Sequence, residues 1–194
     1  MKKFFILAAA LFITSFASAQ ATKAKTDAKV EVKAKTNVKK DAKVEVKAET
    51  KPSPAATATG KVGDKTITIA YSQPAVKGRE VFGKLVPFNE VWRTGANDAT
   101  TFTTDKDITV EGKALKAGTY SLFTIPTEKG EWTIIFNSEA KQWGAYKYDA
   151  KKDVLRVNVK SSKTATVTER MTFDIKDGNV NLMWEKLAVA FKEK

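Results

Sequence analysis

The chain has 194 residues, with 34 Lys and Arg against 22 Asp and Glu, a formal net charge of +12, and neither histidine nor cysteine. Those two absences exclude Ser-His-Asp and Cys-His nucleophilic catalysis, and zinc, haem or iron–sulfur sites built on His or Cys. Paired-carboxylate chemistry, Ser-Lys chemistry and oxygen-ligand binding of calcium or magnesium survive.

In chain order, residues 1–19 read as a signal peptide. Lys2 and Lys3 precede an apolar run over 4–16, and Ala17-Ser18-Ala19 is a small-x-small cleavage signature. The run is too short to stay as a membrane span, and no cysteine stands at the cut to take a lipid. The expectation is an exported protein, periplasmic or extracellular, with no transmembrane segment after cleavage near Ala19.

Residues 20–54 form a separate low-complexity arm. DAKVEVKAKT at 27–36 returns as DAKVEVKAET at 41–50, a period of 14, and the arm holds ten Lys against five acids. Val30, Val32, Val44 and Val46 alternate, which does not match the a and d positions of a coiled coil. The composition predicts a disordered arm. A basic chain suggests nucleic acid, but export argues against that partner. An anionic envelope lipid or glycan fits the charge of the arm better, and a plain solvated spacer is the simpler role.

From residue 55 to 194 the pattern is period two. Ile67, Ile69 and Tyr71 alternate with Thr66, Thr68 and Ala70; Trp132, Ile134 and Phe136 face one way; Leu155, Val157 and Val159 face opposite Arg156, Asn158 and Lys160; Met171, Phe173 and Ile175 oppose Thr172 and Asp174. Asp177-Gly178-Asn179 is a hairpin turn by composition, and Glu111-Gly112-Lys113 is similar. About nine or ten strands with such turns predict an all-β domain, an antiparallel β-sandwich of jelly-roll or immunoglobulin-like form. The span 73–99 breaks the pattern as one long irregular loop, with room for a short helical turn over 79–85.

That loop carries a resemblance. YSQPAVKGREVFGKLVPFNEVWRTGANDAT at 71–100 resembles the signature of an uncharacterised family, domain of unknown function 2911. GTYSLFTIP at 118–126, EWTIIFN at 131–137, QWGAYKYD at 142–149, DVLRVNV at 153–159 and MWEKLAVAF at 183–191 are similar to its later blocks. The resemblance covers 55–194 and implies a secreted β-rich domain. It implies no reaction, so no catalytic residue follows from it.

Candidate sites come from the residues themselves. The chain uses 30 Lys and four Arg, and two of the four, Arg79 and Arg93, lie in the irregular loop with Trp92 and Asn97. Arg forks a carboxylate or phosphate where Lys cannot, so these four residues are candidates for a small anionic or sugar ligand. The alternative is that the arginines pin a long loop to the sheet. Trp143, Tyr146 and Tyr148 form a possible aromatic surface for sugar rings, with burial as the commoner fate of such residues. Glu169 shares strand parity with Val167, Met171 and Phe173, which predicts an inward carboxylate ion-paired with an arginine. Asp105 and Asp107 are too few for a calcium site, so no metal and no cofactor is expected. The leading function is a binding or structural module of the cell envelope without catalysis. The alternative is a glycan hydrolase using paired carboxylates, for which Glu80 and Glu90 are the best pair.

Overall fold

A computed structural model describes residues 52–194; the expected signal peptide and almost all of the expected arm lie outside the described residues. The described chain is all-β, with a single 3-10 turn at Ala150–Lys152. Its strands are β1 (Ala55–Val62), β2 (Lys65–Ser72), β3 (Thr100–Thr104), β4 (Ile108–Val110), β5 (Lys113–Leu115), β6 (Gly118–Pro126), β7 (Glu131–Asn137), β8 (Asp153–Lys176) and β9 (Asn179–Lys192).

Seven strands form one antiparallel sheet in the order β1-β2-β3-β6-β7-β8-β9, and β4 and β5 make a separate hairpin. The sheet curls into a half-barrel. This corrects the expected sandwich of two stacked sheets. The cause lies in β8, which is 24 residues long. Its first part pairs with β7, from Asp153 opposite Asn137 to Lys160 opposite Glu131. Its second part, from Ser161 on, pairs with β9. One continuous strand therefore carries the sheet round where a sandwich needs a break.

The predicted turns explain the hairpins. Asp177 and Gly178 both have positive φ, 52° and 72°, between Lys176 and Asn179 of a paired register. That is a two-residue type I′ turn, which Asp-Gly supplies at low cost. The span 79–85 holds turns and no helix; its hydrogen bonds run from Val86 N–H to Val81 O at 2.8 Å and from Gly83 N–H to Val86 O at 2.8 Å.

The curl creates the core. Ile67, Ile69, Phe102, Trp132, Phe136 and Trp184 are among its fully buried side chains. A smaller cluster of Ala99, Phe123 and Ile135 lies apart from it, with Val91, Ala145 and Tyr148 packed against it. Phe123 and Ile135 alternate with Leu122, Ile134 and Phe136 of the main cluster. Strands β6 and β7 are thus buried on both faces.

Where β1 approaches β8, Gly60 sits against Ile175. A Cβ built on Gly60 would lie 2.5 Å from Ile175 Cγ2 and 2.8 Å from its carbonyl oxygen. Backbone cannot yield as a flexible side chain does, so Gly60→Val should lower stability by about 1–3 kcal/mol or more. Urea midpoints check this, and an unchanged midpoint would contradict the close approach.

Candidate functional site

The long loop is held down at several points along its length. Val76 N–H donates to Glu169 O at 2.8 Å, Asn89 N–H to Pro126 O at 2.8 Å, and Trp92 exchanges two bonds with Thr124, at 2.8 and 2.9 Å. Its aromatic residues enter the core. Trp92 is stacked on Trp184 with centroids 5.8 Å apart and planes 19° apart, and Phe82 meets Trp132 edge-on at 5.3 Å. These contacts join the loop to β7 and β9.

After Trp92 the backbone takes a strained form. Thr94 has φ +54° and is fully buried. The left-handed region is a real outlier for a β-branched residue and costs about 1–3 kcal/mol. Buried hydrogen bonds hold it there: its hydroxyl donates to Thr124 Oγ1 at 3.2 Å, and its carbonyl accepts from Thr100 Oγ1 at 2.7 Å.

Arg79, Trp92 and Arg93 line one cavity of about 220 Å³, together with Trp184, Val86 and Gly95. Three of the four residues read from the sequence therefore meet. Asn97 does not line it; Asn97 is exposed, its amide bonded to Ser72 Oγ at 3.3 Å. The three also differ in what they have left to offer. The Arg79 guanidinium donates to Val76 O at 3.1 Å and Ala75 O at 2.5 Å, so it closes a turn of its own loop. Trp92 Nε1–H donates to Gly95 O at 3.2 Å. Arg93 Nε is buried with no hydrogen-bond partner among the described residues, and so is Trp184 Nε1. Trp184 was missed as a site residue. Its alternation with Val180 and Leu182 marks an inward position on β9, but nothing local to β9 says that the loop stacks there.

The aromatic trio divides. Trp143 and Tyr146 are exposed, at 62% and 84%. Tyr148 is half-buried and its hydroxyl is spent internally. It donates to Asp153 Oδ2 at 2.6 Å and accepts from Arg156 Nη2 at 2.6 Å. Burial, then the bond to Asp153, pushes its pKa up to about 12. Tyr148 therefore belongs to the packing beneath the surface, against Phe123.

Glu169 departs from the expectation. It is exposed, and its carboxylate accepts from Lys77 N–H at 2.9 Å; none of the ion pairs among the described residues includes it. The register of β8 against β9 shifts between Lys163 and Thr168 and again between Thr168 and Thr172. Parity counted from Met171 and Phe173 does not survive those irregularities, so Val167 and Glu169 face outward. There β8 bonds the long loop instead, with Met171 N–H donating to Pro74 O at 3.0 Å. Glu169 does hold the loop, through a backbone N–H.

The remaining acids are also placed. Asp105 accepts from Thr66 N–H at 2.8 Å, and that bond lowers its pKa. Asp107 is bonded to Lys116 Nζ at 2.7 Å and to Ala117 N–H at 2.8 Å; the lysine lowers its pKa first. Glu80 and Glu90 are both exposed, and only Glu90 lines the neighbouring depression of about 310 Å³ that Arg93 and Tyr146 share.

The fold and this site define a curled-sheet β domain with a tethered loop, a cation-lined cavity and an exposed aromatic ledge. The chain belongs to the family described as Protein of unknown function (DUF2911), which it matches over residues 53–192. No curated protein and no solved structure matches it.

Proposed function

We propose that the chain is an exported binding module of the cell envelope, whose ligand presents an anionic group to the cavity beside Arg93. One observation carries this reading. Arg93 Nε–H and Trp184 Nε1–H are buried without partners among the described residues, and both residues line the same cavity. A buried donor left unpaired costs about 1–3 kcal/mol, and more when charged. A carboxylate entering the cavity would pair with the Arg93 guanidinium and offset part of that cost. The strained Thr94 next to Arg93 supports the same reading.

Export rests on the charged start, short apolar run and small-x-small cut of residues 1–19. The basic arm supports attraction to anionic envelope lipid or glycan. Hydrolysis by paired carboxylates draws no support from Glu80 and Glu90, because both are exposed and only one of them lies by Arg93.

Thermal shift and calorimetry with small carboxylates, including uronic acid monomers, test the reading on the wild type and on Arg93→Gln. Ligand at a hundredfold excess over Kd adds about 2.7 kcal/mol of stability. The expected result is a ligand-dependent rise in Tm for the wild type. Arg93→Gln keeps the unliganded Tm and loses the rise. If Arg93→Gln unfolds several degrees earlier without ligand and the wild type shows no rise, Arg93 is an anchor and the reading fails.

A further inference from the structure

We infer that the ligand is an extended acidic polysaccharide, held end-on at Arg93 and stacked along an exposed aromatic ledge. The inference rests on the binding reading above and names its ligand class.

Four depressions follow one another across this surface, each sharing side chains with the next. The Arg93 cavity shares Leu85, Trp92 and Arg93 with the depression of about 310 Å³. That one shares Tyr146 with a depression of about 460 Å³, which also holds Lys147 and Lys152. This in turn shares Lys141, Gln142 and Trp143 with the largest, about 540 Å³, floored by small residues such as Ala70, Ser72 and Thr101. A small ligand fills one such space. A succession of four suits a chain.

The ledge is fixed from beneath. Ala99 N–H donates to Gln142 O at 2.9 Å and Gly144 N–H to Asn97 O at 3.1 Å, so the backbone on both sides of Trp143 is bonded to the end of the long loop. Gly144 has φ +64°, and a Cβ there would lie 2.9 Å from the Tyr146 ring and 3.8 Å from Arg93 Nη1. The missing side chain lets the Tyr146 ring lie on the backbone within reach of Arg93. The rings of Trp143 and Tyr146 are thus exposed on a backbone that is already fixed, which lowers the entropy cost of binding.

The chemistry selects the occupant. Flat aromatic faces stack on sugar rings, and the small, hydroxyl-bearing floor beside Trp143 suits a polyhydroxylated chain better than an apolar one. Along the succession stand five cations, Arg79, Arg93, Lys141, Lys147 and Lys152, against three carboxylates, Glu90, Asp98 and Glu139. Glu139 is bonded to Lys152 at 2.6 Å, leaving Lys141 and Lys147 without ion-pair partners among the described residues. An excess of cations calls for carboxylates on the chain that binds.

The test uses the mature full-length protein at physiological salt. The probes are oligogalacturonates of increasing length, the matched neutral oligogalactose series, and poly-glutamate. Variants are Trp143→Ala, Tyr146→Ala and Lys147→Ala. Affinity should rise with oligogalacturonate length, and each aromatic variant should lower it by roughly tenfold or more, Lys147→Ala by less; Trp143→Ala, which does not line the Arg93 cavity, leaves Tm and the shift with small carboxylates unchanged. Small carboxylates binding with no gain from length would overturn the polysaccharide and leave the Arg93 reading standing. Equal affinity for the neutral series or for poly-glutamate would overturn the acidic or the sugar part. Length-dependent binding that survives both aromatic substitutions would assign it to the arm's charge and overturn the ledge. No binding of any probe overturns both readings.

Discussion

Stability measured by urea should fall between about pH 5 and pH 8 in the wild type and stay flat over that window in Glu193→Gln. Glu193 is 2% exposed, with neither carboxylate oxygen bonded within the described residues. It is fixed by its backbone: its N–H donates to Gly178 O at 2.8 Å, and it bridges Val110 of β4. Burial alone pushes its pKa up to about 8 from an ordinary 4.5. Below pH 4.5 it carries its proton folded and unfolded, and burial of charge costs nothing. Between 4.5 and 8 the folded chain keeps a proton that the unfolded chain has lost, so stability falls as pH rises. One pKa unit corresponds to about 1.4 kcal/mol, which gives a total on the order of 5 kcal/mol. Local opening of the Val110–Glu193 bridge sets a ceiling, because it lets the carboxylate reach water. Glu193→Gln has no proton to lose. Parallel pH curves for the two proteins would contradict the burial of this carboxylate, and amide exchange at Glu193 and Lys194 above pH 8 would report the opening directly.

Trp132→Ala should cost about 3–5 kcal/mol, and Trp132→Phe much less. Trp132 is fully buried on β7 and stands edge-on to Phe82 at 5.3 Å and to Trp92 at 6.4 Å. Phe82 in turn meets Trp184 at 5.9 Å. Four aromatic rings from the long loop, β7 and β9 therefore share one cluster. Removing the Trp132 indole leaves a void that rings held on other segments cannot close together. A domain stability of about 5–15 kcal/mol makes the loss a large fraction of the whole. Denaturant midpoints measure it. A loss below about 1 kcal/mol for Trp132→Ala would show that the loop is held by its hydrogen bonds and not by this cluster.

Strand alternation is informative only while the register is regular. Alternation placed Trp132, Ile134 and Phe136 inward, and they are. It placed Leu155 and Val157 inward and Arg156 and Asn158 outward, and they are so. It failed at Glu169, because parity holds only while each residue opposes one partner, and β8 shifts register twice there. Glu185 makes the same point on β9. Its φ is +55°, and it lies between the inward Trp184 and the inward Val189, an odd spacing that strict alternation forbids.

By itself the sequence determined the chemistry that is impossible without His and Cys, the all-β class, the hairpin at Asp177-Gly178, and the gathering of Arg79, Trp92 and Arg93 in one loop. These are local properties: residue identity, period two, and turn residues that accept positive φ. The tertiary structure decided the rest. It curled one sheet where alternation is equally satisfied by two stacked ones, since period two fixes which face is buried and not what buries it. It spent Arg79 on its own loop and left Arg93 Nε without a partner among the described residues, exposed Trp143 and Tyr146 while tucking Tyr148 beneath them, and buried Glu193 in place of Glu169. Each of those outcomes depends on a partner distant in the chain, and no periodicity within one strand or loop carries information about that partner.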